Sequence, residues 1–485
     1  MKIQINNFGP IHHFECDLDK DLHLILGKNN IGKSYGITVV YLLVKSLLDG
    51  EIPRYAHRER ITGDVMEKVS VLNAGEEIDI STVFKGAIIK MLQYVFLDRF
   101  QDYLKGTYGS ADSVINRFSG GDPRVRLIFD DVHIDIEMAG NEFEVKVFGI
   151  NKIIKARRIK SSRFPKQETD KLIIYYYSKY SGGFKDHFID ISADYCAKML
   201  GEVLNGIHTI HYLPASRSGL YTALSAFGQI IAELAKSRSF LKGRIELPGI
   251  AVPLSDYFLD LSQITPNEKP DKDNPIQRIA NDIENDILKG KVEFDKKTRK
   301  LFYTPDGTQG LRLDIDATSS MVSELAPIVS FVRHIVAKSA EKTRDIREAV
   351  AGLPREEDTP QKKIFPKPLL FIEEPEAHLH PENQVKLMAA FAALANAGVK
   401  VIITSHSSTL FHKLNNLILG KHIDTGIISA TLFQQTEKGS NAVPLPLDEL
   451  GIEDDNFIDT TEGLYDEKVD LIDRMNRSGD DGDAG

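Results

Sequence analysis

Cysteine is scarce in this chain: Cys16 and Cys196 are the only two among 485 residues, and no C-x-x-C pair occurs. That excludes a disulfide framework and a cysteine zinc site, and it suits a reducing compartment. Also missing is any run of eighteen apolar residues, so no membrane span is expected. The first residues, Met-Lys-Ile-Gln-Ile-Asn-Asn, enter strand-like alternation without the apolar core of a signal peptide. The expectation is a cytoplasmic protein with no membrane partner. No repeat of fixed period and no sustained heptads appear, so no long coiled coil is expected. No G-x-S-x-G is present, so a serine hydrolase of the nucleophile-elbow type is excluded.

The net charge of −10 is unevenly distributed. From Asp448 to Gly485 there are 14 acidic and 3 basic residues, so residues 1–447 carry a balance of only +1. The acidity belongs to the tail, and the body is free to present a basic face to a polyanion. With 42% hydrophobic residues, a chain of this length is expected to bury real cores in roughly two to four domains.

What is present is more specific. Gly27-Lys28-Asn29-Asn30-Ile31-Gly32-Lys33-Ser34 satisfies G-x-x-x-x-G-K-[ST] at every fixed position. Glycines at its ends let the chain wrap so that backbone N–H groups face a β-phosphate. Lys33 supplies a point charge to the β/γ-phosphates, and the Ser34 hydroxyl is a Mg²⁺ ligand. The apolar run His23–Leu26 precedes it as a strand, and Tyr35–Leu48 follows as a buried helix. A phosphate there sits on a helix N-terminus, where the dipole favours it.

The second constellation is Pro368–Pro381, PLLFIEEPEAHLHP. A buried parallel strand ending in two acids delivers both to the C-terminal edge of a sheet. In nucleotide hydrolases of this shape the first such acid holds Mg²⁺ through water and the second polarises the attacking water, which makes Glu373 the first and Glu374 the second. Alternation points the two differently, so each can have its own task. The usual first acid is Asp; here Glu is one methylene longer. The third is Val399–Ser407, a β-branched strand ending in Ser405-His406. Helical spacing of Val385, Met388, Phe391 and Leu394 between the two predicts a right-handed strand–helix–strand unit. That brings His406 to the same edge as Glu374, where it is expected to read a γ-phosphate.

Asn7-Phe8-Gly9-Pro10-Ile11, GKNNIGKS, LLFIEEPEAHLHP and VIITSHS together resemble the ABC-type ATPase heads of the overcoming-lysogenization-defect and structural-maintenance-of-chromosomes (SMC) groups. EEPEAHLHP is the form typical of bacterial relatives of the former, many of which serve in anti-phage defence. The resemblance implies an α/β fold: an ABC-type P-loop ATPase head over residues 1–50 and 205–435. A mixed α+β insertion then spans 51–204, and an acidic segment spans 436–485 with a disordered end. It also implies ATP and Mg²⁺ as cofactors and a homo-oligomer, at least a dimer through the heads, sandwiching two ATP molecules. Each site is completed by the partner's signature serines, matched here by Ser319 and Ser320 at the start of a helix. Met321 stands where the usual motif has glycine, and no clear Q-loop glutamine is present; Ser216-Arg217 occupies that region, with Gln229 a weak substitute. His378 and His380 fall in the loop facing the opposing subunit, with a His-x-His metal site as the alternative.

Within the insertion, Val125–Phe148 alternates as a hairpin about Ala139-Gly140-Asn141, and Met66–Leu104 reads as largely helical. Residues 151–166, NKIIKARRIKSSRFPK, hold seven Lys or Arg and no acid, with Tyr175, Tyr176, Tyr177, Tyr180 and Phe184 close behind. Such a mixture fits DNA or RNA through phosphate neutralisation and base stacking, or a solvated basic surface beside a packed aromatic strand. The expected function is ATP hydrolysis coupled to nucleic acid or an effector protein, in anti-phage defence. Chromosome maintenance or DNA repair is the alternative. A transporter subunit is disfavoured by an insertion of about 150 residues, and a self-contained nuclease by the 79 residues that follow His406.

Overall fold

The computed structural model describes residues 1–50, 69, 72–129, 132–150, 152–160, 171–176, 181–204, 206–223, 249–265, 273–341, 366–453 and 465–472. The expectations for residues 151 and 161–166 of the basic run, Tyr177, Tyr180, Gln229 and the end of the tail fall outside these residues.

The chain opens with β1 (Lys2–Phe8), β2 (Ile11–Asp17) and β3 (Leu22–Gly27), then α1 (Lys33–Leu48). Next come β4 (Glu77–Asp79), α2 (Ser81–Leu92), α3 (Asp98–Tyr108), β5 (Arg124–Phe129), β6 (Val132–Ala139), β7 (Glu142–Ile150), β8 (Ile153–Arg158), β9 (Lys171–Tyr176) and α4 (Ser181–Leu204). The remainder runs through β10 (Ile207–Leu213), α5 (Val252–Ser262), α6 (Pro275–Asp282), β11 (Gly290–Asp295), β12 (Lys300–Pro305), β13 (Leu313–Asp314) and α7 (Ser320–Phe331). It ends with β14 (Lys367–Glu373), α8 (Pro381–Asn396), β15 (Lys400–Ser405), α9 (Ser408–Leu419), β16 (Ile428–Thr436) and β17 (Gly439–Pro444).

An eleven-stranded sheet organises the molecule, in the order β10-β14-β15-β3-β16-β17-β2-β1-β5-β6-β7. The strands β10, β14, β15, β3 and β16 are mutually parallel. All six residues of β3 and all six of β15 are buried, as expected of strands covered on both faces. Alternation sends Leu22, Leu24 and Leu26 into the core beneath α7, α8 and α9, and Ile25 into the core beneath α1. On β14, Leu369 and Phe371 join the α1 side while Leu370 and Ile372 join the other. Glu373 continues the first parity, so its side chain emerges on the face of α1.

Val125–Phe148 forms three strands rather than a single hairpin. β5 pairs with β1, and β5, β6 and β7 extend the large sheet antiparallel, with Gly140 at φ 65 in the β6–β7 turn. Burial alternates along β6 and β7, the pattern of a sheet covered on one face. Helix over Met66–Leu104 appears as α2 and α3, with β4 before them; β4, β8 and β9 make a small separate sheet. Residues 320–341 are helical and apolar enough in length and hydropathy for a membrane span, but 72% of that window is buried inside the protein. Val322, Leu325, Ile328, Val329 and Phe331 line the core there, which accounts for the apolarity. Cys16 and Cys196 are free and buried, and burial pushes each thiol up to about 12.

At the N-terminal edge of the parallel strands, Asp21 acts as a clasp. Its carboxylate takes Lys400 Nζ at 3.0 Å and Lys367 Nζ at 2.6 Å, pinning the starts of β15 and β14 to β3. Lys400 also donates to the carbonyls of Leu18 and Lys20. Burial pulls the Lys400 ammonium below its ordinary value, with Asp21 opposing the shift. Removing one partner of a buried pair leaves the other charge uncompensated. Asp21→Ala is therefore expected to lower unfolding stability by about 3 kcal/mol. Urea denaturation checks this; an unchanged midpoint contradicts it.

Candidate functional site at the C-terminal edge of the sheet

The C-terminal ends of β3, β14 and β15 lie side by side, with Ser405 opposite Leu26 and Glu373 opposite Thr404. Ligands in parallel α/β sheets gather at this edge. Gly27 ends β3 with φ 143, and a Cβ there would lie 2.8 Å from the carbonyl oxygen of Phe433. Lys28, Asn29 and Asn30 are exposed, Asn30 has φ 59, and Gly32 has φ 93 immediately before α1. Ile31 is buried and anchors the loop. Two glycines in conformations closed to other residues thus let the backbone curl at the helix start.

Lys33 is the first residue of α1 and only 4% exposed. Its ammonium donates to the carbonyls of Gly27 at 2.9 Å and Lys28 at 2.8 Å, and lies 3.1 and 3.3 Å from the two ring nitrogens of His406. Burial lowers its pKa to about 8, against the raising influence of Glu374 and Glu376. His406 Nδ1 is 2.8 Å from the Gly27 carbonyl oxygen, and His406 Nε2 is 2.8 Å from Glu374 Oε1. Lys33, His406 and Glu374 therefore converge, although they come from three different strand ends.

Glu374 has φ 40, a left-handed conformation unusual for glutamate, and its amide donates to the Thr404 carbonyl at 3.0 Å. Strained residues of this kind persist where surroundings over-determine them, commonly at functional sites. The hydrogen bond from His406 is the main cause holding the Glu374 carboxyl below its ordinary value; burial works the other way. Glu376 supports the arrangement: its Oε1 accepts from Ser405 Oγ and from the His406 amide, each at 2.7 Å. Glu373 turns to the opposite side, where its Oε1 accepts a short hydrogen bond from the Tyr212 hydroxyl. Burial, then the Glu373 charge, pushes the Tyr212 phenol well above its ordinary value.

Arg217 is wholly buried and binds both sequence acids through their backbones. Its guanidinium donates to the carbonyls of Pro214 at 3.0 Å, Glu373 at 2.7 Å and Glu374 at 3.4 Å. It also pairs with Glu324 of α7 at 3.3 Å, while Glu324 accepts from Ser218 Oγ at 2.7 Å. A rigid five-donor fork suits this task; a lysine would not reach three carbonyls and a carboxylate. The sequence assigned Arg217 no role, since apart from the Pro214 carbonyl the partners named here lie more than a hundred residues away.

Ser319 and Ser320 are exposed at the start of α7. Ser319 caps that helix, accepting from the Val322 amide, and no hydrogen bond joins either serine to the phosphate loop among the described residues. His378 and His380 are exposed; His380 caps α8. Among the described residues no group of three or more His, Cys, Asp or Glu is arranged to hold a metal alone. Mg²⁺ fits such a sparse set, because it keeps water and phosphate oxygens in its octahedral shell and takes few protein ligands. The Ser34 hydroxyl and Glu373 carboxylate are hard-oxygen donors of that kind.

The basic run 151–166 is partly consumed internally. Lys155 and Arg157 both pair with Glu77 in the small sheet, and they hold the Glu77 carboxyl down to about 2. Arg158 donates to the Leu72 carbonyl at 2.8 Å, and Tyr175 and Tyr176 are buried in β9. Lys152 and Lys160 remain exposed.

A family profile described as AAA ATPase domain matches residues 1–208 and 221–411. The chain belongs to the AAA ATPase domain family. Among solved structures, the SMC head domain from Thermotoga maritima is similar at 10% identity and TM-score 0.35, over 92% of this chain and 98% of that one. An SMC head domain bound to the C-terminal domain of ScpA derived from Pyrococcus furiosus matches at 10% identity and TM-score 0.35, over 96% and 98%. No curated protein matches this ATPase-family chain.

His406→Ala removes the main cause of the depressed Glu374 carboxyl. The Glu374 titration is then expected to move upward, toward the ordinary glutamate value, when followed by carboxyl-carbon NMR. A titration that stays where it was contradicts the pairing.

Proposed function

We propose that this chain binds and hydrolyses ATP with Mg²⁺ at the C-terminal sheet edge, and that its heads pair around the nucleotide. The convergence of Lys33, His406 and Glu374 on one point carries the reading. ATP supplies a γ-phosphoryl group open to in-line attack by water, and Mg²⁺ neutralises charge on the phosphate oxygens. The amides of Gly27–Ser34 hold the phosphates. Lys33 exchanges its two carbonyl partners and the imidazole for phosphate oxygens. Ser34 and Glu373 hold the cation. Glu374 accepts the proton of the attacking water, and His406 orients the γ-phosphate against it. Ser319 and Ser320, exposed at a helix start, reach the nucleotide of the second head.

On this reading residues 1–50 and 205–435 act as the head, 51–204 as the insertion that responds to nucleotide state, and the acidic part of 436–485 beyond β17, which itself belongs to the large sheet, as a docking segment. The biological setting is cytoplasmic anti-phage defence with an effector protein as partner, supported by the EEPEAHLHP form of the acidic strand end. Chromosome maintenance is the second reading. It requires nucleic acid to engage the exposed Lys152 and Lys160 and to stimulate turnover.

Two variants test the chemistry. Lys33→Ala should weaken ATP binding at least about tenfold, close to 1.4 kcal/mol, in equilibrium titration. Glu374→Gln should retain ATP binding, reduce turnover by about 10²–10⁴-fold and accumulate the paired state in analytical ultracentrifugation. Unchanged affinity in the first, or unimpaired turnover in the second, removes the residue from its role.

A further inference from the structure

Glu in place of Asp at the cation-binding position adds a rotatable bond, and that freedom has to be removed for the carboxylate to hold one position. Tyr212 removes it. The two residues stand on neighbouring parallel strands, β10 and β14, with Tyr212 opposite Phe371 in register. Tyr212 is 1% exposed, stacked on Phe371 at 5.9 Å between centroids and 20°, and edge-on to Tyr41 at 5.1 Å. Its ring has no room to move.

The direction of its hydrogen bonds follows from the groups involved. An ionised carboxylate only accepts, so the phenol proton goes to Glu373. The phenol oxygen is then left to accept, and Thr38 Oγ1, 3.0 Å away, donates to it. Thr38 lies four residues beyond Ser34, one turn along α1. A chain of hydroxyls therefore runs from the phosphate-loop helix to the acid. One carboxylate oxygen is occupied, and the other remains for a cation.

A second tyrosine approaches from the insertion. Tyr108, the last residue of α3, stacks on Tyr35 at 4.5 Å and 29°, directly after Ser34 in sequence. Its hydroxyl is buried beside the Thr38 hydroxyl and within the field of the Glu373 carboxylate. Thr38, which also meets the Tyr212 hydroxyl, is thus shared by both phenols, and a buried phenol at that place extends the same polar network.

We propose that Tyr212 is the positioning residue that presents Glu373 to the cation, and that Tyr108 links this hydroxyl network to the inserted helix α3. The inference rests on the reading of Glu373 as the cation-binding acid. The test is ADP binding by calorimetry, with and without Mg²⁺, in the full chain, alongside amide hydrogen exchange of residues 98–108. Tyr212→Phe should leave Mg²⁺-free ADP affinity within about twofold and raise the Mg²⁺ concentration for half-effect by about 10–100-fold. Tyr41→Phe loses a hydroxyl in the same core, one that donates to Asp256 instead, and should leave the Mg²⁺ dependence unchanged. In the unaltered chain Mg²⁺·ADP should alter exchange in α3, and Tyr108→Phe should abolish that change while ADP still binds. A wild-type Mg²⁺ dependence in Tyr212→Phe, or an equal loss in Tyr41→Phe, overturns the positioning role. Exchange in α3 that ignores Mg²⁺·ADP overturns the link. Failure of the unaltered chain to bind ADP or respond to Mg²⁺ overturns the nucleotide-site reading itself, a separate and recognisable result.

Discussion

A lysine ammonium held inside the protein sets the terms for everything around it. Lys33 is 4% exposed, and a cation withdrawn from water must find acceptors and opposite charge at once. The acceptors come from the loop itself, the carbonyls of Gly27 and Lys28, which is why the loop closes on its own side chain. The opposite charge comes from Glu374 and Glu376, brought up by a strand nearly 350 residues away in sequence. Each of those carboxylates is held in turn, Glu374 by His406 and Glu376 by Ser405 and the His406 amide. Release any one holder and the charge balance at Lys33 shifts.

Arg217 gives this edge its rigidity. By binding the carbonyls of Glu373 and Glu374 it controls the backbone where the strand turns and where Glu374 adopts φ 40. By pairing with Glu324 it ties that turn to the helix whose exposed start carries Ser319 and Ser320. The opposite edge is fastened separately by Asp21 with Lys367 and Lys400. Ionic clasps at both ends leave the apolar strands between them in one register, and a one-residue slip would reverse every inward side chain.

Much of this edge was legible in sequence because the informative residues are contiguous. GKNNIGKS carries its own turn geometry, and an apolar strand running into two acids or into Ser-His announces where its end lies. Alternation foretold that Glu373 and Glu374 would face apart, and they do: one turns to Tyr212, the other to His406. What linear reading missed are residues whose meaning depends on distant partners. Arg217 stood out only by its place in the Q-loop region and Tyr212 by nothing; neither Glu324 nor Thr38 is near in sequence to the Arg217 or Tyr212 it touches. Alternation over 125–148 pointed to strands and to the turn at 139–141, but nothing local says that the stretch holds three strands or that β5 pairs with β1. The basic run in 151–166 shows the reverse error of emphasis. Alternation along β8 turns Lys155 and Arg157 to the same side, and both meet Glu77 from β4, so charge that looked available is already partnered.

The central claim is that a triphosphate replaces the internal partners of Lys33 at this edge. Its most direct test is an experimental structure of the chain with Mg²⁺ and a non-hydrolysable ATP analogue. The account predicts phosphates cradled by the amides of Gly27–Ser34, Lys33 turned from its carbonyls to phosphate oxygens, and the terminal phosphate between His406 and Glu374. A nucleotide bound elsewhere, or a phosphate loop left closed on Lys33 at saturating analogue, contradicts it.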